Sequence, residues 1–211
     1  MSTAPSISHS PNVQTGISVA NDDVHRQFKV YITGLNTILH QISELELAQL
    51  ATLIQAAQQN QRTVFIAGNG GSASTASHWA TDLGKGLHHR IGKGVKALSL
   101  SDNTAWISAA ANDIGYDSIF SDQLRAHAKA GDVLIVISAS GNSPNIIKAL
   151  QVARDIGVTS VSIVGFDGGA AKIASDYTVH VPTDSGKYGL AEDAQLILNH
   201  FLCDYLAGAI E

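Results

Sequence analysis

"FIAGNGGSAS", residues 65–74, is an apolar run followed by Gly68-Asn69-Gly70-Gly71-Ser72 and then small residues suited to a helix start. Glycines there permit positive φ and close approach of a guest to the backbone. A hydroxyl and a helix N-terminus add donors for an anion. The same grammar recurs at "DVLIVISASGNSP", residues 132–144, where a strand pattern leads into Ser138-Ala139-Ser140-Gly141-Asn142-Ser143-Pro144. Pro144 suits the first turn of the helix that follows, since its φ is preset and its missing N–H costs little there. Either turn alone is ordinary turn chemistry, but two of them on different strands of one sheet point to a ligand.

Working outward, β-branched runs at 63–67, 95–100, 132–138, 160–166 and 176–182 alternate with helical patterns. That alternation predicts an α/β fold, a five-stranded parallel sheet covered by helices on both faces in three αβα layers. In such a sheet, ligands sit beyond the carboxyl ends of the strands where the strand order reverses. Ahead of the first strand, helical spacing of Phe28, Ile32, Leu35, Ile38, Leu39 and Ile42 predicts a helix from about Val24 to Leu47, followed by another over about Glu46 to Gln59. Two such helices cannot hide both apolar faces by themselves, so they read as packing or oligomerisation elements. Residues 1–22, rich in Ser, Thr, Asn and Pro, read as a disordered tail, with 23–211 as one domain.

Composition excludes several classes. The 211 residues are 45% hydrophobic and 15% charged, with a net charge of −5, and no Lys/Arg run exceeds two, which leaves no electrostatic footprint for nucleic acid. The single cysteine, Cys203, permits no intrachain disulfide and suits a reducing cytoplasm. No apolar stretch reaches the ~18 residues of a membrane span, and residues 1–20 lack the pattern of a signal peptide. Neither turn fits G-x-G-x-x-G spacing or G-x-x-x-x-G-K-[ST], so dinucleotides and nucleoside triphosphates lose ground to a sugar phosphate held by serines.

A second constellation is His78, Asp82, Glu192 and His200. His78 and Asp82 share a helix face at i, i+4, and Glu192 and His200, eight apart, lie about 80° around the last helix. If the two helices cross, two imidazoles and two carboxylates suit a divalent ion such as Zn²⁺. Helix packing by His78 with solvated acids is the competing reading. Asp102, Asn103, Asn112 and Asp113 follow the second strand, and they either reach sugar hydroxyls or, as Asp102 could, cap the next helix. His88 and His89, near Lys85, read as an exposed loop or a phosphate neighbour, and His180 as structural.

In order, "GNGGSASTASHWATDL", "SDNTAWISAAANDIGYDSIFSDQL", "GDVLIVISASGNSPNIIKAL", "GFDGG" and "EDAQLILNHFLCDYL" resemble the phosphoheptose isomerases of the sugar isomerase (SIS) domain superfamily, over roughly residues 24–208. The resemblance implies a flavodoxin-like or Rossmann-like fold, a homotetramer with active sites at subunit boundaries, and an aldose–ketose isomerase. Its reaction would convert sedoheptulose 7-phosphate to D-glycero-D-manno-heptose 7-phosphate by metal-assisted enediol proton transfer. By motif, Ser72, Ser138, Ser140 and Ser143 match the phosphate-binding serines, with Asn69, Gly70, Gly71 and Ala139 beside them; Asn112 and Asp113 are candidate substrate contacts from their place after the second strand alone. Ala139 stands where many relatives have Thr.

The family's metal and catalytic set is a His and a Glu four apart, then a Gln and a His eight apart. Here these are His78, Asp82, Glu192 and His200, with Zn²⁺ as the implied ion, and with His200 and one acid, Asp82 before Glu192, as proton carriers. Asp for Glu shortens the arm by about 1.5 Å, a costly shift for a positioned base. Glu for Gln adds a charge that favours a cation and offers a replacement base. Gly189 and Leu190 stand where family members often carry Asp and Arg, which bears on substrate identity. The alternatives are isomerisation of another phosphosugar, or a non-catalytic binding or adaptor SIS protein such as the one that associates with the bacterial replication initiator.

Overall fold

The computed structural model describes residues 21–208, with side chains from Asp23 onward. The expected tail lies almost wholly outside the described residues. The chain begins with α1 (Asn21–Leu39) and α2 (Glu44–Gln59), then alternates β1 (Thr63–Gly68), α3 (Gly71–Thr81), a π-helical turn (Asp82–Gly86), α4 (Leu87–Ile91) and β2 (Lys96–Ser99). It continues through α5 (Thr104–Asp113), α6 (Ile119–His127), β3 (Val133–Ser138), α7 (Pro144–Asp155), β4 (Thr159–Val164), α8 (Gly169–Ala174), β5 (Tyr177–His180) and α9 (Tyr188–Leu206).

The five strands form one parallel sheet in the order β2-β1-β3-β4-β5. Side-chain alternation splits the core into two layers. Val64, Ile66, Ile135 and Ile137 face one side, packing with Trp79, Leu83, Ile54 and Leu198. Phe65, Leu134 and Val136 face the other, with Phe120, Ile146 and Leu150. Central β3 is buried throughout, whereas edge strand β2 alternates between exposed and half-buried, as a strand with one neighbour should.

Strand order reverses between β1 and β3, because the chain steps from β1 to one side and returns to the other. The turns after these two strands therefore flank the crevice where a ligand is expected. The first helix ends earlier than its periodicity suggests: α1 stops at Leu39, and Ser43, its hydroxyl accepting from the Glu46 N–H at 3.4 Å, caps a separate α2. Ile38 and Ile42 are buried, but Phe28 and Ile32 remain 61% and 46% exposed, so the apolar face of α1 is only partly covered. Among the described residues no helix is long and apolar enough to cross a membrane.

Candidate active site at the two strand ends

Both Gly/Ser turns open into one cavity of about 290 Å³ at the strand-order reversal. The β1 turn supplies Asn69, Gly70, Gly71 and Ser72, and the β3 turn supplies Ser138, Ala139, Ser140 and Ser143. Gly70 adopts φ +56°, a conformation that favours glycine, immediately before α3 begins. Ser143 is the N-cap of α7, yet its side chain makes no capping bond, which leaves the hydroxyl available to a guest. Ser138 and Ser140 shape their own turn, accepting from the Gly141 and Asn142 N–H groups at 3.0 and 3.3 Å.

The two turns are fastened together by an amide pair. Asn69 Nδ2 donates to Asn145 Oδ1 at 2.9 Å and Asn145 Nδ2 returns a bond to Asn69 Oδ1 at 2.8 Å, with the Tyr116 hydroxyl donating to the same oxygen at 3.1 Å. Asn145 is 1% exposed, so this clamp sits in low dielectric, where hydrogen bonds are strong. Neither Asn145 nor Tyr116 is marked by a motif, and their roles emerge only when distant segments meet.

α9 crosses α3 on the far side of the β1 turn, tied to it by Trp79 Nε1 donating to the Gln195 carbonyl at 3.1 Å. Glu192 thereby joins the cavity wall. A Cβ on Gly71 would lie 2.5 Å from both carboxylate oxygens of Glu192, so only glycine admits this acid over the turn.

Two turns further along α9, His200 meets the α3 pair. His78 and His200 face each other Nε2 to Nε2 at 3.3 Å, and Asp82 Oδ2 lies 3.1 Å from the first and 3.9 Å from the second. One donor atom from each of these three residues falls within 4.8 Å of the others. The structure thus brings together three of the four expected ligands, while Glu192 stands apart over Gly71. Eight residues of helix span about 12 Å along the axis, an offset that counting angles around a helical wheel leaves out.

Three electron-pair donors gathered this closely form a set that a divalent cation fits: two imidazole nitrogens and one carboxylate oxygen, each on a partly exposed side chain. Asn199 Nδ2 donates to Asp82 Oδ2 at 2.7 Å, a contact no sequence pattern announces. Cys203 is buried on α9, its thiol pushed up to about 12 by burial first and by the Asp82 charge second, with Arg90 opposing.

The remaining polar candidates lie elsewhere. Asn112 and Asp113 are exposed at the end of α5, bonded to one another at 2.8 Å, and are not part of the cavity wall. Asp102 is not the cap of α5. Asn103 is, accepting from the Trp106 N–H at 3.0 Å, while Asp102 accepts from the Ser77 hydroxyl. His88 and His89 are exposed on α4. His180 is structural, its ring bonded to the Phe166 carbonyl at 2.9 Å and the Lys172 ammonium at 3.2 Å.

Comparison with known proteins matches this geometry to a family. Residues 30–165 match the SIS domain. The phosphoheptose isomerase of Helicobacter pylori (strain P12) is 38% identical over 184 residues, covering 87% of this chain and 94% of that one. Among solved structures, the phosphoheptose isomerase of Neisseria gonorrhoeae superposes with a TM-score of 0.79 at 28% identity, covering 91% of this chain and all of the other. The phosphoheptose isomerase of Francisella tularensis gives 0.76 at 26% identity, over 88% and 97% of the two chains.

Proposed function

The chain belongs to the phosphoheptose isomerases of the SIS domain family, and from that premise we propose that it interconverts sedoheptulose 7-phosphate and D-glycero-D-manno-heptose 7-phosphate. The observation that carries this reading is the placement achieved by one helix: α9 sets Glu192 in the wall of the serine cavity and His200 against His78 and Asp82.

In this reading the hydroxyls of Ser72, Ser138, Ser140 and Ser143, with the N–H groups opening α3 and α7, hold the phosphate. Phosphate at the cavity floor places the far end of the sugar toward Glu192. Ketose-to-aldose conversion takes a proton from C1, passes through an enediol and returns a proton to C2. Glu192 replaces Asp82, the acid first expected, as the base, because it lies outside the His78–Asp82–His200 cluster and a carboxylate engaged by a cation is a poor proton acceptor. Asp82 and His200, the other proton carriers the resemblance implies, are engaged with the cation in this reading, so Glu192 also relays the hydroxyl proton from one oxygen to the other as carbonyl and hydroxyl trade places.

His78, Asp82 and His200 would hold a divalent cation, Zn²⁺ by the chemistry of its donors. When bound, such an ion supplies polarisation of the carbonyl and stabilisation of the enediolate charge. Asn112 and Asp113, outside the cavity wall, are carried only as contacts to sugar hydroxyls at the exposed end of α5. The lone buried thiol suits a reducing cytoplasm, and the uncovered apolar face of α1 suits a homotetramer.

The test is to follow aldoheptose 7-phosphate formation from sedoheptulose 7-phosphate with metal-replete and chelated protein. Glu192→Gln should lower kcat by about 100-fold or more with KM little changed, and His200→Ala should abolish turnover. No turnover by the metal-replete wild type would remove the proposed substrate, and full activity in His200→Ala would remove the mechanism.

A further inference from the structure

Asp82 is not held by the histidines alone. Asn199, immediately before His200 on α9, has no exposed surface, and its Nδ2 donates to Asp82 Oδ2 at 2.7 Å. This is the same oxygen that lies 3.1 Å from His78 Nε2 and 3.9 Å from His200 Nε2. The amide's orientation is dictated from both ends. A carboxylate can only accept, so the NH₂ must face Asp82, and Asn199 Oδ1 accepts from Cys203 Sγ at 3.8 Å on the other side.

The two partners differ in freedom. Asn199 is locked in a packed helix, whereas the Asp82 side chain keeps 29% exposure at the start of the π-helical turn and could swing toward water. An aspartate reaches one methylene less far than a glutamate, so a small rotation suffices to withdraw its oxygen from the histidines. An amide donor on Oδ2 opposes that rotation. It takes one lone-pair direction of the oxygen and leaves the rest aimed at the imidazoles.

We propose that Asn199 is a positioning residue that fixes Asp82 Oδ2 against His78 and His200, with the Cys203 thiol holding the amide in turn. The inference rests on the reading of this cluster as a cation site. It assigns a role to a residue that touches neither substrate nor cation.

The experiment measures Zn²⁺ affinity by competition with a chromophoric chelator for the wild type, Asn199→Leu, Asn199→Ala, Asp82→Ala and the Asp82→Ala/Asn199→Leu double variant. Asn199→Leu keeps the γ-branched shape without the amide, and Asn199→Ala guards against a misfit of the larger leucine. Thermal melts establish that each is folded. Both Asn199 variants should bind Zn²⁺ about 10- to 100-fold more weakly. With Co²⁺ in place of Zn²⁺, they should also show altered visible absorption bands. Because Asn199 acts through Asp82, Asn199→Leu should cause no further loss once Asp82 is Ala. Wild-type affinity in both Asn199 variants, or losses that simply add in the double variant, would overturn the inference while leaving the cation site standing. Failure of the wild type to bind Zn²⁺ would overturn the cation site, and the inference with it.

Discussion

The Tyr31 hydroxyl donates to Asp193 Oδ2 at 2.6 Å, joining α1 to α9 one residue beyond Glu192. That bond, then burial and the charges of Asp193 and Glu192, raise the phenol from 10.0 to about 12. Ionising the phenol would break the bond and set two negative charges side by side, so the folded chain holds this proton more tightly than the unfolded one. The stability contributed is whole below pH 10 and is lost as the pH rises from about 10 to about 12. Tyr31→Phe has no such group to titrate. Across that window the wild-type melting temperature should fall more steeply than the variant's, as circular dichroism would show, and superposable profiles would refute the linkage. Tyr31, Asn145 and Asn199 share a reason for being invisible in sequence. Their partners lie 162, 76 and 117 residues away, and tyrosine or asparagine at those places belongs to no spacing rule. The serine turns and the i, i+4 pairing of His78 with Asp82 could be singled out because local geometry explains them, whereas spacing left helix packing open for His78, and the family resemblance is what joined that pair to Glu192 and His200. Only the axial separation of Glu192 from the cluster needed three dimensions.

Ser43 and Glu46 have the spacing of a capping box, in which the acid would bond back to the N-cap amide. Here the serine half is present at a long 3.4 Å, but Glu46 Oε2 instead accepts the backbone N–H of His180 at 2.9 Å, tying α2 to edge strand β5. A charged acceptor on a half-buried amide outweighs a stretched cap. Glu46→Ala should therefore cost about 1.5 kcal/mol or more, and Ser43→Ala about 0.5 kcal/mol, in urea unfolding. The reverse ranking would show that helix initiation, not the strand tie, dominates. The strands were the most legible elements because their β-branched runs are short, buried and bounded by Gly/Ser turns. Helix boundaries were less so: apolar spacing continues through Ile42 and Leu47 although the chain turns between Leu39 and Glu44, since both sides of the break pack on the same core. The π-helical turn at "DLGKG" was not legible, because no spacing rule marks an extra residue in a helical turn; Leu83 and Leu87, near its two ends, are both fully buried.

At the scale of the whole molecule, the fold leaves two apolar rows uncovered. Val24, Phe28 and Ile32 recur every four residues on α1 at 56%, 61% and 46% exposure, and Ile197, Phe201 and Tyr205 do the same on α9 at 38%, 38% and 55%. Rows of this size, one of them on the helix that carries Glu192 and His200, mark an interface more often than a solvated surface. The site asks for one as well. The side chains of His78 and His200 are 44% and 53% exposed, yet the enediol of the proposed reaction would need to be kept from bulk water while its proton moves. A second copy laid on these helices would bury the apolar rows and shelter the histidines together. The wild type should thus run above the mass of one chain in multi-angle light scattering, at four chains if the proposed homotetramer holds. Phe28→Asp with Ile32→Asp, neither of which touches the cavity or the cluster, should yield smaller species that remain folded by circular dichroism. If assembly provides the shelter, kcat should fall with the particle mass while Zn²⁺ affinity, set within one chain by His78, Asp82 and His200, stays unchanged. A fully active monomer would separate catalysis from assembly, and a wild type that is already monomeric would leave the apolar rows without the partner assigned to them.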